Sequence, residues 1–407
     1  MEQIRRILNR IVSILTTYTL LEIYHILIYK FIRKTYYIKK NKKNKKWAII
    51  LYVDSPFYFH KDTRFMNHQA YREAIKIANI LEDIGYNYIV ENYESKPKFG
   101  SKKFDLIFGH EPNFIYYSEK NPDAIKIIYS AGSYYEQRNE GIKNRIDSFN
   151  RKFNAKIKYT RLIEPHNGFE KADMIFQIGN NVTKGTFPPL LQNKIHLINQ
   201  SSNFIKTIDI ENKIKKSCRN VFVWMGSSGS ILKGFDLVFD YFSTHKELKL
   251  KIIGEIDTEV YNIYKKEIEQ SHNITYYGFV NVNTEHFIHI VSDASFIIYP
   301  SITEGGCPGA VITLMQNGLI PLVSRICKFD EIDECGFVIP EVSLSGIKYS
   351  IDWAKSLTND DIRHKQKKSY QISTKKWNIN SFERDFKSGI NIVLNNKEKQ
   401  YKNKLYL

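Results

Sequence analysis

The sequence predicts an α/β protein: two doubly wound, parallel-sheet domains facing a cleft, preceded by a basic and apolar helical extension. Two observations carry that reading. Short apolar runs alternate with segments of helical period from Trp47 onward, and after an aperiodic stretch the alternation restarts at Val221. A length of 407 residues accommodates two domains. The expected boundaries are 1–46 for the extension, 47–205 for the first domain, 206–218 for a hinge, 219–366 for the second domain, and 367–407 for a helical tail broken near Trp377–Asn380.

In the first domain, apolar runs at Trp47–Val53, Tyr86–Asn92, Asp105–Phe108, Ile125–Tyr129, Met174–Ile178 and Ile195–Asn199 suit buried strands. Between the first two, Ala70, Ala74, Ile77, Ala78, Leu81 and Ile84 fall on one helical face, and Gly85 follows as a left-handed cap. In the second domain, strands at Val221–Met225, Leu248–Ile253, Ile274–Tyr277, Phe296–Tyr299 and Leu319–Val323 alternate with helices at Gly234–His245, Thr258–Gln270, Thr284–Ser292 and Ala310–Asn317. Both halves are Rossmann-like, and ligands of such sheets bind outside the carboxyl ends of the strands.

Composition narrows the partners. Hydrophobic residues at 43% and charged residues at 25% describe an ordinary folded chain. The formal charge of +17 favours anionic partners, and part of it sits in the run Lys39, Lys40, Lys42, Lys43, Lys45, Lys46. Neither zinc-finger spacing nor a ribonucleoprotein-type aromatic motif accompanies the run, so nucleic acid is not an expected partner. Cys218, Cys307, Cys327 and Cys335 form no Cys-x-x-Cys pair and no disulfide framework, which fits a reducing, cytoplasmic compartment.

The segment Ile7–Ile32 is apolar, but Glu22 falls near the middle of any span it would make, and a span needs about 20 predominantly apolar residues. No small-residue cleavage site follows, as a signal peptide would require. An interfacial helix with a basic end, peripheral on the anionic cytoplasmic face of a membrane, fits best. A true anchor and a helix packed on the protein's own surface are the alternatives.

Three strand-end loops of the second domain carry candidate chemistry. Gly226-Ser-Ser-Gly-Ser-Ile-Leu-Lys233-Gly234 combines small residues, a helix start and a lysine, which suit an anion, although the P-loop order is missing. Gly278-Phe279-Val280 permits close backbone approach, with Phe279 placed to cover a base. Tyr299-Pro-Ser-Ile-Thr-Glu304-Gly-Gly-Cys-Pro-Gly309 sets a carboxylate in a rigid, glycine-rich loop before a helix, suiting sugar hydroxyls and phosphate. Each loop also has a plain reading: a turn with a solvated lysine, a core phenylalanine, a capping glutamate.

Taken in order, with Leu314-Met-Gln-Asn-Gly318-Leu-Ile-Pro321 after them, these loops make residues 221–340 resemble the donor domain of retaining glycosyltransferases of glycosyltransferase family 4. The resemblance implies the GT-B fold and a nucleotide-sugar donor. Lys233 would neutralise the donor diphosphate and Glu304 would contact the transferred sugar. The amides around Gly305, Gly306, Cys307, Pro308 and Gly309 would hold sugar and phosphate, and Phe279 would border the base. Two positions depart from the family: Ser227, after Gly226, stands where arginine is common, and Thr313 where a second glutamate usually binds the ribose. Both variants are similar to bacterial polysaccharide glycosyltransferases. In the first domain His110, in Phe-Gly-His-Glu-Pro, resembles the acceptor-domain histidine near the reacting sugar, with a capping role as the alternative. Gly132, Ser133 and Tyr134 border the acceptor site in the same reading, while His68 on the first helix is solvated or packed.

The expected activity is transfer of a sugar, with retention, to a glycan or lipid-linked glycan acceptor in cell-surface polysaccharide synthesis. A catalytically silent scaffold that binds nucleotide or glycan is the alternative motivated by Ser227 and Thr313, and a GT-B nucleotide-sugar epimerase shares the architecture. A dehydrogenase is not expected, because no Gly-x-Gly-x-x-Gly follows Trp47–Val53. No Asp-x-Asp sits at a strand end, and Asn359-Asp360-Asp361 lies in a polar helical stretch. Neither metal nor cofactor is therefore expected, the nucleotide sugar being a substrate. Transfer should accordingly survive EDTA; loss of turnover with the chelator and recovery with Mg²⁺ or Mn²⁺ would contradict this.

Overall fold

A computed structural model of the chain describes residues 12, 15, 19–31, 35–61, 68–202 and 208–405. The first sheet contains β1 (Tyr36–Lys39), β2 (Lys46–Tyr52), β3 (Tyr86–Asn92), β4 (Leu106–Gly109), β5 (Ile125–Ser130), β6 (Met174–Ile178) and β7 (Ile195–Ile198), in the order β1-β3-β2-β4-β5-β6-β7. Only the β1–β3 pair is antiparallel. The second sheet is wholly parallel: β8 (Cys218–Gly226), β9 (Lys249–Gly254), β10 (Ile274–Tyr276), β11 (Ala294–Tyr299), β12 (Ile320–Ser324) and β13 (Phe337–Ile339), in the order β10-β9-β8-β11-β12-β13. That is the doubly wound order whose direction reverses between its first and fourth strands.

Helix α1 (Leu20–Phe31) precedes the first sheet. Its Ile26 is buried with Tyr58 and Phe59, and Glu22 pairs with Lys61 at 2.8 Å, so one face packs on the protein itself. Leu20, Tyr24 and Leu27 are exposed. Among the described residues no helix is long and apolar enough to cross a membrane. Most of the extension before Thr19 lies outside the described residues.

Three placements differ from the sequence expectation. The polybasic linker belongs to the first sheet: β1 runs along β3, and the turn between β1 and β2 is pinned by Asn87, which accepts from the Asn41 amide at 2.6 Å and donates to the Asn44 carbonyl at 2.7 Å. Its lysines point to solvent, which hides a short edge strand inside a charge run.

The second difference is α3 (Tyr135–Phe153), which follows β5; α2 (Gln69–Asp83) matches the expected first helix, with Gly85 at φ +92 beyond it. Ile142, Ile146 and Phe149 of α3 are buried in the core of the second domain, so α3 belongs to the first domain by sequence and to the second by packing. Arg145 on α3 donates to both oxygens of Asp236 at 2.6 and 2.8 Å. With three apolar contacts on a polar helix, its period is weak in the sequence.

The third is the expected hinge, where α4 (Ile210–Lys216) forms behind Asp209, whose carboxylate accepts from the Asn212 amide. Lys213 of α4 is buried, donates to the Ala294 carbonyl at 2.5 Å, and burial pushes its ammonium down to about 7. A lysine in the place of a core residue conceals the helix.

The remaining helices used below are α5 (Phe235–Thr244), α6 (Thr258–Gln270), α7 (Gly309–Met315), α8 (Asn359–Lys376) and α9 (Ile379–Leu405). Helix α9 returns to the first domain: Phe382, Phe386, Ile390 and Val393 complete the core on one face of its sheet, Phe386 meeting Phe108 and Phe176 at 5.3 and 5.1 Å between ring centroids. The chain thus crosses between domains twice. The crossings are tied where the Ser202 amide donates to the Trp377 carbonyl at 3.3 Å and Gln316 donates to Ser202 Oγ at 2.7 Å.

Deleting residues 1–34 should leave both sheets intact. Deleting 1–46 removes β1 as well and should lower Tm by roughly 4–8 °C more, the effect of about 2 kcal/mol on a domain of this size. Equal melting temperatures for the two truncations would show that β1 adds nothing to the sheet.

Candidate active site

The second sheet reverses direction between β8 and β11, and the loops that leave those two strands are the ones bearing Lys233 and Glu304. Their backbones are stitched together. Ile302 N–H and Ser301 Oγ both donate to the Leu232 carbonyl, at 3.0 and 3.2 Å, and Trp224 Nε1 donates to the Lys233 carbonyl at 3.1 Å. Gly234 has φ +70, and a Cβ there would stand 2.4 Å from Pro300 Cγ, so glycine is required twice over. The Lys233 stem passes Gly226, its Cδ 3.2 Å from where a Gly226 Cβ would be, and Nζ donates to the Ser228 carbonyl at 2.6 Å. Burial pushes its ammonium down to about 8, against the opposing pull of Glu304. Glu304 Oε1 accepts from Tyr299 Oη at 3.2 Å and Ser301 Oγ at 3.4 Å, which aims the carboxylate.

Gly226, Ser227, Lys233, Phe279, Glu304, Pro308 and Gly309 line one cavity of about 520 Å³. Phe279 is 76% exposed and therefore sits at its mouth rather than in the core. All three candidate loops thus converge.

Other expected donor residues are elsewhere. Gly305, Gly306 and Cys307 line a separate space of about 150 Å³ between the domains. The Gly306 amide donates to the Ile326 carbonyl at 3.1 Å, and the Cys307 carbonyl accepts from Gln200 of the first domain. A Cβ on Gly305 would be 2.9 Å from Gly132 Cα, and one on Gly306 2.8 Å from Gly179 Cα. These glycines serve domain contact. Thr313 is buried in α7 and its carbonyl accepts from Asn317. The amides of Gly229 and Ser230 do not wait for a phosphate either: both donate to Asp257 Oδ2, at 2.9 and 2.7 Å. An internal carboxylate holds the glycine loop in shape.

Across the cleft, His110 follows β4 at the corresponding reversal of the first sheet. Gly109 has φ +138, and a Cβ there would meet the Leu51 carbonyl oxygen at 2.1 Å. That approach lets the His110 amide donate to the same oxygen at 2.9 Å. The imidazole lies among Tyr52, Tyr93 and Tyr129 at 5.1–5.3 Å between ring centroids, and burial pushes it down to about 4, so it is neutral at neutral pH. His110, Glu111, Gly132, Ser133, Arg138 and His166 line a cavity of about 350 Å³. Burial pushes the Glu111 carboxyl up to about 8. Tyr134 packs on Phe169 and Phe187 instead, and His68 caps α2 by accepting from the Ala70 amide.

Two cations were not among the residues singled out in the sequence. Arg138, on α3, stands beside Glu304, and Arg161 donates to Ser228 Oγ at 2.7 Å. Arg138 follows the Gly132-Ser133 strand end, which is a usable signal; Arg161 lies in an aperiodic stretch and has none. Among the described residues no group of three His, Cys, Asp or Glu side chains is placed to hold a metal ion.

Two doubly wound domains joined by a double crossing and facing a cleft define the GT-B fold, whose known members include glycosyltransferases. Residues 219–351, a third of the chain, match the family model described as "Glycosyl transferases group 1". The fold is similar to sucrose-phosphate synthase from Thermosynechococcus elongatus at 10% identity and TM-score 0.58, covering 86% of this chain and 99% of that one. It is also similar to Anabaena Alr3699/HepE in complex with UDP-glucose, at 9% identity and TM-score 0.51, covering 85% and 99%. S. aureus TarM overlays at 12% identity and TM-score 0.47, covering 70% of this chain, which spans only 55% of TarM. No curated protein sequence matches the chain.

Burial holds the Lys233 ammonium down to about 8, and a diphosphate beside it would favour the protonated form. Nucleoside diphosphate affinity should therefore be full below about pH 7. Above about pH 8 it should fall, by up to about tenfold per unit. Calorimetry at pH 8.5 in buffers of different ionisation enthalpy should register proton uptake on binding; none would place the phosphates away from Lys233.

Proposed function

We propose that this protein is a retaining, metal-independent glycosyltransferase that moves a sugar from a nucleotide-sugar donor to a glycan or lipid-linked glycan acceptor. Cell-surface polysaccharide synthesis at the cytoplasmic membrane face is the setting proposed. The observation that carries the reading is the convergence of Lys233, Glu304 and Phe279 on one cavity at the strand-order reversal of the second sheet, opposite the His110 cavity of the first. The family match over the same domain supports it.

The donor's diphosphate lies against Lys233, its base near Phe279 and its sugar against Glu304. In the transfer step the bond from C1 to the phosphate oxygen breaks with its electron pair going to that oxygen. The acceptor hydroxyl bonds C1 on the same face and gives its proton to the departing phosphate. Such a leaving group needs charge neutralisation more than protonation, and a preorganised cation supplies it without reorganisation. Neutral His110 can accept or donate a hydrogen bond to a hydroxyl of the reacting sugar. Exposed lysines between β1 and β2, with the apolar side of α1, face the anionic membrane surface in this reading.

Lys233→Ala should weaken both nucleoside diphosphate and intact donor and lower kcat by about 10²–10³. Glu304→Gln should leave nucleoside diphosphate affinity nearly unchanged and impair sugar transfer. Titrations and turnover on both variants decide it. Unchanged affinities in Lys233→Ala move the phosphate site elsewhere; collapse of the fold in Glu304→Gln makes Glu304 a structural cap.

A further inference from the structure

The second domain offers little positive charge of its own to a diphosphate. The Gly229 and Ser230 amides are engaged by Asp257 and the Gly306 amide by Ile326. In the donor cavity Lys233 is the cation among the described lining residues, and Glu304 stands opposite it. A departing diphosphate carries more charge than one half-desolvated lysine balances. Two further cations stand within electrostatic reach of Lys233, and both come from the first domain. Arg161 holds Ser228 Oγ, and its Cζ, Nε and Nη1 lie 3.3–3.4 Å from where a Gly229 Cβ would be. It does so from a left-handed backbone, φ +62, which a non-glycine residue adopts only when its surroundings enforce it. Arg138 Nη1 lies 2.7 Å from where a Gly132 Cβ would be, the guanidinium feels the charge of Glu304, and its Nε is buried with no hydrogen-bond partner. A buried guanidinium donor without a partner is a group that awaits one.

We propose that Arg161 and Arg138 bind the donor's diphosphate across the cleft, Arg161 at the glycine-loop end and Arg138 at the Glu304 end, completing with Lys233 a cation set drawn from both domains. The proposal rests on the glycosyltransferase reading and adds where the leaving-group charge is met. Guanidinium suits the task because its fork of N–H donors matches phosphate oxygens. Ser228 Oγ, the present partner of Arg161, is a neutral acceptor that an anion displaces. The positive charge around the phosphates is then complete only while the two domains face each other, so binding of the leaving group and closure of the cleft are one event.

Inorganic pyrophosphate is the probe, since it tests the phosphate site without assuming a base. Arg161→Ala and Arg138→Ala, made in the full chain, should each raise the pyrophosphate Kd by about tenfold or more, as loss of one charge-assisted hydrogen bond does. Arg161→Lys should recover part of the loss. Arg161→Ala and Lys233→Ala should combine less than additively, which a merely structural role for Arg161 would not produce. Arg161 is exposed, so its variant folds and decides the matter even where Arg138→Ala does not. Pyrophosphate bound by the native protein and lost in Lys233→Ala, but unchanged in Arg161→Ala, overturns the across-cleft set and leaves the proposed function standing. Failure of the native protein to bind pyrophosphate overturns the phosphate site itself, and the across-cleft set with it.

Discussion

Backbone meets backbone across the cleft. Gly305 against Gly132 and Gly306 against Gly179 approach so closely that a single methyl on either loop glycine would fall under 3.0 Å from the backbone of the first domain. Everything at the site follows from that contact. It brings the loop carrying Glu304 against the strand ends of the first sheet, within electrostatic reach of Arg138, and lets Gln200 and Asn180 bond carbonyls of the second domain. Side chains at those glycines would wedge the two sheets apart and separate the halves of the site.

A second contact fixes the geometry from outside. Helix α3 leaves the first sheet and buries Ile142, Ile146 and Phe149 among the side chains of the second domain, with the Arg145–Asp236 pair beside them. A buried pair of this kind adds little net stability but penalises any arrangement that parts its members. Domain motion here is therefore constrained at α3 as well as at the two chain crossings.

Much of the fold was legible because buried strands are rich in apolar residues and amphipathic helices keep their period: the strands Tyr86–Asn92 and Met174–Ile178 and the helix Thr258–Gln270 have the same ends in sequence and structure. Elements that bury little, or bury charge, were not. The edge strand β1 is masked by lysines, α3 spends its few apolar residues on the other domain, and α4 buries Lys213. At the site, Lys233, Glu304 and Phe279 were found because glycine and proline mark strand-end loops. Gly305 and Gly306 were placed in the right loop, but from the sequence alone a glycine that admits a ligand and a glycine that admits another backbone look alike. Arg161 owes its position wholly to tertiary structure.

The return of α9 to the first domain has a consequence for synthesis. Chains emerge from the ribosome amino end first, and domains generally fold as units in that order. Here the first domain cannot close its own core until Phe382, Phe386, Ile390 and Val393 are made, after the whole of the second sheet. The second domain in turn takes part of its core from α3, which has already emerged. The half that is translated first is thus the half that is finished last, and its bare sheet face around Phe108 and Phe176 must be kept from other chains until the final long helix arrives.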